Sequence, residues 1–223
     1  MIENLHRYFD HALLYPEVTE SDITRLCKEA IEYDLFSIAI NPCWVKHAKS
    51  VLSGTNVKIL SAVGFPLSAN TTEIKSAEAA WSVEDGADEI DMVANVGWLA
   101  MGEYGKVEKE IALVRKAIGE NILLKVIIEC PRISAEVQVG AVSAVINGGT
   151  QFVKTCTGFF GGATVEMVER LFKAASGQIK VKASGGIKTL ADTTALINAG
   201  AERIGSSSSV AIMNEYLQKV KTE

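Results

Sequence analysis

Short runs of apolar, largely β-branched residues alternate with amphipathic helical segments along the whole chain. Eight of these runs are predicted strands, because each is short and is bounded by glycine or polar residues. They span residues 10–14, 36–40, 57–64, 89–94, 123–129, 151–156, 179–183 and 203–206. Alternation of strands with helices over the full length is typical of a parallel sheet built from βα units.

The segments between the strands carry helix signals of their own. Apolar positions in one such segment recur at the spacing that places them on one helical face: Val107, Ile111, Val114 and Ile118. Helix starts are predicted where a hydroxyl residue is followed within three residues by an acid, because the hydroxyl can cap free amides and the acid favours the positive helix end. These starts are Thr71 with Glu73, Ser134 with Glu136, and Thr189 with Asp192.

A weak internal repeat marks the passage from helix to strand. In four segments a glycine is followed by polar residues and then by a strand, as expected of a left-handed residue that ends a helix. Counting five residues on from each of those glycines reaches Asp91, Lys154, Lys182 and Gly205. All four are therefore predicted to lie at a similar height along their strands, within the stagger of a barrel.

Eight βα units favour a closed (β/α)8 TIM barrel over an open doubly wound sheet. No GxGxxG dinucleotide loop follows an early strand, and no proline-rich linker divides the chain. The expectation is a single domain over residues 1–223 with a short N-terminal helix. In such barrels the active site lies at the carboxyl ends of the strands.

Composition excludes several functional classes. The 223 residues are 48% hydrophobic, and 22 basic against 27 acidic residues give a net charge of -5, which disfavours nucleic-acid binding. No apolar run approaches the roughly 18 residues of a membrane-spanning helix, and no signal peptide is apparent. Four separated cysteines suggest reduced thiols in a cytoplasmic protein, and three scattered histidines disfavour a zinc site.

Two strand lysines are the most informative polar residues, because burying an ammonium group costs several kcal/mol unless it is paired or neutralised. Lys154 and Lys182 would be neighbours on the sixth and seventh strands, roughly 5 Å apart. Two adjacent ammonium groups favour loss of one proton, which yields an amine able to form a Schiff base. Asp91 could relay protons to them or be a plain structural partner. The alternative for each lysine is that it pairs with a nearby acid and extends its charged group to solvent. Spacing alone leaves open which strand lysine reacts, because Lys58, Lys125 and Lys180 also lie on strands.

A second cluster follows the last two strands. Gly185 and Gly186 allow backbone amides to approach an anion, and Ser207 and Ser208 add hydroxyl donors where the last helix begins. Phosphate binding by these loops recurs in TIM barrels. The alternative is that these small residues only make tight turns.

Five segments resemble the 2-deoxyribose-5-phosphate aldolase family: FDHALLYP, EIDMV, FVKTCTGFFGGAT, VKASGGI and RIGSSSS. They occur in order from about residue 5 to about residue 210. The resemblance implies a class I aldolase, without metal or cofactor, that reversibly cleaves 2-deoxy-D-ribose 5-phosphate to D-glyceraldehyde 3-phosphate and acetaldehyde.

The resemblance also implies roles for individual residues. Lys154 matches the Schiff-base lysine, Lys182 the second lysine that favours its neutral form, and Asp91 a member of a proton relay. Asp10 and Thr157 would border the site. The phosphate site would comprise Gly158, Gly185, Gly186, Gly205, Ser207 and Ser208.

Two features depart from some members of the family. Phe159 stands where some members have a lysine, so Lys188 could supply that positive charge instead. The chain also ends shortly after Tyr216, without the tyrosine-bearing tail of some members. Cys43, after the second strand, could lie near the site.

Other functions stay open at this point. A different Schiff-base barrel, such as another phosphosugar aldolase or a transaldolase-like enzyme, would keep the lysine and the anion site. A barrel that only binds a phosphorylated metabolite would keep both without turnover. The sequence leaves the oligomeric state open; a homodimer or homotetramer is possible.

Overall fold

Eight parallel strands close into a barrel in a computed structural model that describes residues 2–221. Each strand pairs with its neighbours in chain order, and β8 pairs with β1. The strands are β1 Phe9–Leu13, β2 Ser37–Ile40, β3 Lys58–Val63, β4 Glu89–Val93, β5 Leu123–Ile127, β6 Phe152–Lys154, β7 Lys180–Ser184 and β8 Ala201–Ser206. The predicted TIM barrel is confirmed.

Helices surround the barrel. They are α1 Glu20–Glu32, α2 Val45–Val51, α3 Thr72–Glu84, α4 Val96–Ala100, α5 Tyr104–Ile118, α6 Ala135–Asn147, α7 Val165–Ala175, α8 Leu190–Asn198 and α9 Ser209–Val220. The expected N-terminal helix is a single 3-10 turn, Leu5–Tyr8. Two more 3-10 turns follow β2 and β5, at Pro42–Trp44 and Cys130–Arg132.

The predicted helix signals agree with the structure. The four apolar residues of α5 are buried against the outer wall of the barrel. Thr71, Ser134 and Thr189 are the N-cap residues of α3, α6 and α8. Ser134 and Thr189 accept hydrogen bonds from the backbone amides of Val137 and Asp192, which satisfies one free donor at each helix start.

The strand register arranges the interior side chains in layers. Strands in an eight-stranded barrel tilt by about 36° from the barrel axis. Following the strand pairing from one strand to the next but one therefore reaches a residue that lies below the starting level, and the residue two positions later on that strand shares the level. The floor layer is Ser37, Glu89, Phe152 and Arg203; the middle layer is Asp10, Leu60, Lys125 and Lys182; the upper layer is Ala39, Asp91, Lys154 and Gly205.

The predicted common height therefore holds for three of the four residues. Asp91, Lys154 and Gly205 share the upper layer. Lys182 is the direct register partner of Lys154, as expected, but strand tilt places it one layer lower. Its side chain rises past Gly205, where an added Cβ would lie 3.2 Å from the Lys182 Cε.

Candidate active site

Two lysines and one aspartate meet in the upper half of the barrel. The Nζ of Lys154 donates to Asp91 Oδ2 at 2.8 Å, and the Nζ of Lys182 donates to the same oxygen at 2.7 Å. The side chain of Lys154 is 4% exposed and that of Lys182 is fully buried, so neither reaches out to bulk solvent. The predicted neighbours thus share one carboxylate oxygen; we call them the Lys154–Lys182 pair.

Asp91 belongs to a closed circuit of buried charges that we call the interior ring. Successive ion pairs join its six members in the order Asp91, Lys182, Asp10, Arg203, Glu89 and Lys125, and then return to Asp91. Acids and bases alternate around the ring, so every carboxylate lies between two cations. Lys154 joins the ring at Asp91.

The ring has three carboxylates and three cationic side chains, and Lys154 is a further base. The seven groups are therefore electrically neutral when one lysine has lost its proton. Because an unbalanced charge is expensive in a buried site, this composition favours a neutral amine within the Lys154–Lys182 pair.

The pKa shifts follow from the same arrangement. Burial lowers the pKa of Lys182 to about 8, and the ammonium groups of Lys154 and Lys125 act in the same direction, whereas the carboxylates that it contacts oppose the shift. Burial alone would raise the pKa of Asp91, but three surrounding lysines hold it well below its usual range. Asp91 is therefore an anion throughout the physiological pH range, able to accept from both lysines.

A cavity of about 460 Å³ opens above the lysines at the carboxyl ends of the strands. Eight of the predicted site residues line it: Lys154, Lys182, Thr157, Gly158, Gly185, Gly186, Gly205 and Ser207. Asp91 and Asp10 lie beneath it and contact Lys182. Ser208 is the N-cap residue of α9, and Lys188 lines the cavity wall. The structure brings the lysines and the glycine-rich loops to one cavity, as the sequence predicts.

Two glycine-rich loops cross at the cavity edge. Gly158 and Gly185 both have positive φ, at 92° and 89°. A Cβ added at Gly185 would lie 2.9 Å from the Gly158 Cα and 3.0 Å from the Cys156 Sγ. Glycine is therefore required at this crossing.

Glu129 was not predicted as a site residue. It follows β5 in the left-handed region, with φ 53°, and its buried carboxylate accepts hydrogen bonds of 3.2 and 3.3 Å from the amide of Thr157. Burial raises the pKa of Glu129. This contact with Thr157 fixes the start of the loop after β6. The residues around Glu129 form no pattern that predicts its left-handed backbone conformation.

The outer edge of the cavity is aromatic. The ring of Phe159 lies 5.4 Å from that of Phe65 in an edge-to-face arrangement and 5.9 Å from that of Tyr15. Both contacts are within the range of favourable aromatic pairs. Cys43 is exposed in the 3-10 turn after β2.

Comparison with known proteins is consistent with this site. The model of the DeoC/LacD family of aldolases matches residues 5–214. The chain belongs to the DeoC/LacD aldolase family.

Relatives and solved structures agree with the family assignment. The chain is 47% identical to a deoxyribose-phosphate aldolase of Clostridium kluyveri over 214 residues, which are 96% of this chain and 98% of the relative. A structure described as QR15, an aldolase, superposes with a TM-score of 0.94 at 36% identity and 99% coverage of each chain. A structure described as a tetrameric deoxyribose phosphate aldolase from Aeropyrum pernix has a TM-score of 0.89 at 32% identity, covering 95% of this chain and 90% of that one.

Within this DeoC/LacD aldolase, sequence reasoning found the two lysines and Asp91 but missed much of the ring. Glu89 and Arg203 were not singled out, and Lys125 was noted only as a strand lysine. The alternation of side chains along a strand could have identified them, because residues two apart lie on the same face of the sheet. Glu89 lies two residues before Asp91 and Arg203 two residues before Gly205, so both point into the barrel.

The remaining features of this aldolase concern what surrounds the site. No group of three or more histidine, cysteine, aspartate or glutamate side chains able to hold a metal ion occurs within residues 2–221. The helices in that range include none long and apolar enough to cross a bilayer.

Proposed function

We propose that this chain is a deoxyribose-phosphate aldolase that reversibly cleaves 2-deoxy-D-ribose 5-phosphate to D-glyceraldehyde 3-phosphate and acetaldehyde through a Schiff base on Lys154. The observation that carries the proposal is the Lys154–Lys182 pair, buried on one oxygen of Asp91 directly beneath a cavity edged by glycine loops. The names of the relatives support the same substrate.

In the cleavage direction, the neutral amine of Lys154 adds to the C1 aldehyde of the open-chain sugar, and loss of water gives an iminium ion. The C3 hydroxyl then loses its proton, the C2–C3 bond breaks, and its electron pair moves toward the iminium nitrogen. Glyceraldehyde 3-phosphate leaves, and an enamine stays on Lys154. The iminium nitrogen acts as the electron sink for this step.

The second half of the cycle returns the enzyme to its starting state. Protonation of the enamine at C2 restores an iminium ion, and hydrolysis releases acetaldehyde and the amine of Lys154. Lys182 and Asp91 are placed to take part in these transfers, because Asp91 Oδ2 accepts hydrogen bonds from the Nζ atoms of both lysines. A proton that one lysine gives up can thus be taken up by the other, so the total charge of the pair stays the same.

The glycine loops would bind the phosphate group of the substrate. Gly158, Gly185 and Gly186 line the cavity edge in left-handed backbone conformations, with Ser207 beside them and Lys188 on the wall. Backbone amides in left-handed turns form concave sites for anions. Gly205 near the end of β8 and Ser208 at the start of α9 would complete this site, while Asp10 holds Lys182 from below.

We also propose that the protein acts in the cytoplasm as a homodimer or homotetramer. Four free cysteines support a reducing compartment. The tetrameric description of the Aeropyrum pernix protein supports self-association, as do large apolar side chains on the outer surface, such as Trp81 and Met101, each 66% exposed.

Turnover of candidate substrates tests the proposed reaction. We expect the purified protein to release glyceraldehyde 3-phosphate from 2-deoxyribose 5-phosphate, and Lys154→Met to reduce the rate to the assay background. Lys180→Met is the matched control because Lys180 lies at the start of β7, is 57% exposed and pairs with Glu202.

A donor panel separates the alternatives. In the synthetic direction, acetaldehyde should be accepted in preference to acetone and dihydroxyacetone. Preference for a ketone would identify another Schiff-base aldolase, and binding of the sugar phosphate without turnover would identify a binding protein.

A further inference from the structure

The proposed reaction leaves the lower half of the interior ring without a role. Glu89 and Arg203 occupy the floor layer, where Glu89 is 4% exposed and Arg203 is 6% exposed. Both are charged, although apolar side chains could fill the same space. Buried ion pairs in general add little stability over well-packed apolar residues, so stability gives a weak reason for these charges.

Both floor residues are connected to the lysines above through short contacts. Arg203 Nη1 donates to Asp10 Oδ1 at 2.7 Å, and Asp10 forms an ion pair with Lys182. Glu89 forms an ion pair with Lys125, whose Nζ lies 3.3 Å from Asp91 Oδ1. Arg203 is therefore linked to Lys182 through Asp10, and Glu89 is linked to both lysines through Lys125 and Asp91. Each floor charge also acts on the pair directly, through the barrel interior.

We infer that Glu89 and Arg203 are positioning residues that tune, in opposite directions, how readily the Lys154–Lys182 pair loses a proton. This inference rests on the proposed function, because it assigns the neutral amine of that pair a chemical use. The opposite charges of Glu89 and Arg203 in the floor layer would then control the protonation, and so the reactivity, of the Lys154 amine two layers above.

The sign of each effect follows from electrostatics. The carboxylate of Glu89 stabilises nearby ammonium groups, so its removal should favour deprotonation of the pair and move the active pH range downward. The guanidinium of Arg203 disfavours nearby ammonium groups, so its removal should move that range upward. For unit charges roughly 10 Å apart in an effective dielectric constant of about 20, each shift is about one pH unit.

Other titratable groups face the pair from several elements, and the test leaves them unchanged. The pKa of the Cys156 thiol is raised by burial to about 11, which keeps it neutral. The groups are Asp10 from β1, Tyr15 after β1, Asp91 from β4, Lys125 from β5, Glu129 after β5, Cys156 after β6 and Lys188 after β7.

The experiment measures the pH dependence of acetaldehyde trapping by borohydride and of kcat/KM. Glu89→Gln should lower the midpoint of both profiles by about one pH unit, and Arg203→Met should raise both by a similar amount. Arg203→Lys retains the positive charge, so the midpoint of its pH profiles should stay at the wild-type value. The double variant Glu89→Gln/Arg203→Met should return it close to the wild-type value.

Matched controls remove the same charges outside the barrel. Glu202 and Lys180 form an exposed ion pair beside the floor, with side chains 46% and 57% exposed. Because solvent screens them, Glu202→Gln and Lys180→Gln should each move the midpoint by less than about 0.3 pH unit.

The outcomes separate this inference from the proposed function. Shifts in the same direction, or shifts no larger than those of the controls, in a protein whose wild type is trapped at Lys154 would overturn the floor inference alone. Absence of trapping at Lys154 in the wild type would overturn the proposed function. If Arg203→Met does not fold, the downward shift of Glu89→Gln and the unchanged midpoint of Arg203→Lys still decide the question.

Discussion

Lys182 illustrates how a single side chain links the parts of this site. It is fully buried, pairs with Asp10 and Asp91, and passes Gly205 on its way upward. A lysine that snorkelled to water would keep an ordinary pKa, whereas the pKa of this one falls to about 8 because burial outweighs its two carboxylate partners. The alternative of a solvated structural lysine, open from sequence alone, does not fit this environment.

Replacement of Lys182 tests its effect on the pH dependence. In the wild type, kcat/KM should rise with pH through about 8, the pKa to which burial lowers Lys182. In Lys182→Met the interior loses one cation, so the remaining amine holds its proton beside Asp91. We expect a drop of about 10²–10⁴ in kcat/KM at neutral pH, and an acid limb displaced to higher pH.

Lys180→Met is the control for this change. It removes the same charge two residues earlier on β7, where the side chain pairs with Glu202 in solvent. Circular dichroism melts would report the cost to folding, because breaking a buried ion pair typically costs about 3–5 kcal/mol. An unaltered pH profile in a folded Lys182→Met variant would contradict a role for Lys182 in setting the protonation of the pair.

At the residue scale, the sequence predicted groups whose spacing follows a regular strand. Lys154 and Lys182 were located because each lies five residues beyond a helix-ending glycine. Glu129 could not be found in this way, since its left-handed backbone and its contact with Thr157 depend on how β5 and β6 end beside each other.

At the element scale, the loops after β6 and β7 depend on one another. The two loops pack against each other at Gly158 and Gly185, and Ala163 N donates to Gly185 O at 3.1 Å. The sequence predicted a glycine-rich anion site after β7 but not this crossing, because contacts between loops from different strands leave no local pattern.

Substitution at the crossing tests its role. Gly185→Ala should raise the KM for 2-deoxyribose 5-phosphate by at least about tenfold, since an alanine is strained at this φ by about 1–2 kcal/mol and its Cβ would press on the Gly158 backbone. Borohydride trapping of acetaldehyde, which has no phosphate, should be affected much less.

Gly177→Ala is the matched control. Gly177 has φ 72° but lies between α7 and β7, where an added Cβ meets nothing within 4 Å. It carries a similar backbone cost without the clash. Equal effects of the two variants on KM would show that backbone strain alone explains the result.

Element boundaries show the same limit of local reasoning. The predicted strand 151–156 pairs only over Phe152–Lys154 in β6. Beyond the strand, the Thr155 amide donates to Lys182 O and the Thr155 carbonyl accepts from Cys130 N, in an irregular segment. The apolar pattern extends past the point where the ladder ends, so sequence alone overestimates this strand.

At the scale of the whole molecule, the barrel separates two kinds of interior. Apolar side chains fill the space between strands and helices, whereas the barrel centre holds the interior ring and Lys154. The fold was predictable because the outer core follows simple periodicity. The ring was only partly predictable, because closing it requires the tilt and register of all eight strands.

The central claim is that Lys154, and no other lysine, holds carbon covalently. Borohydride reduction of the protein with acetaldehyde, followed by intact-mass and peptide mass spectrometry, measures this directly. Reduction converts the iminium ion into a stable ethyl group on the lysine nitrogen. Lys154→Met provides the background from slow ethylation of exposed lysines.

We expect a single rapid ethyl addition per chain, located on Lys154 and absent from Lys154→Met. Rapid ethylation located instead on Lys182 or Lys125, or an equal mass gain in the Lys154→Met variant, would contradict the assignment.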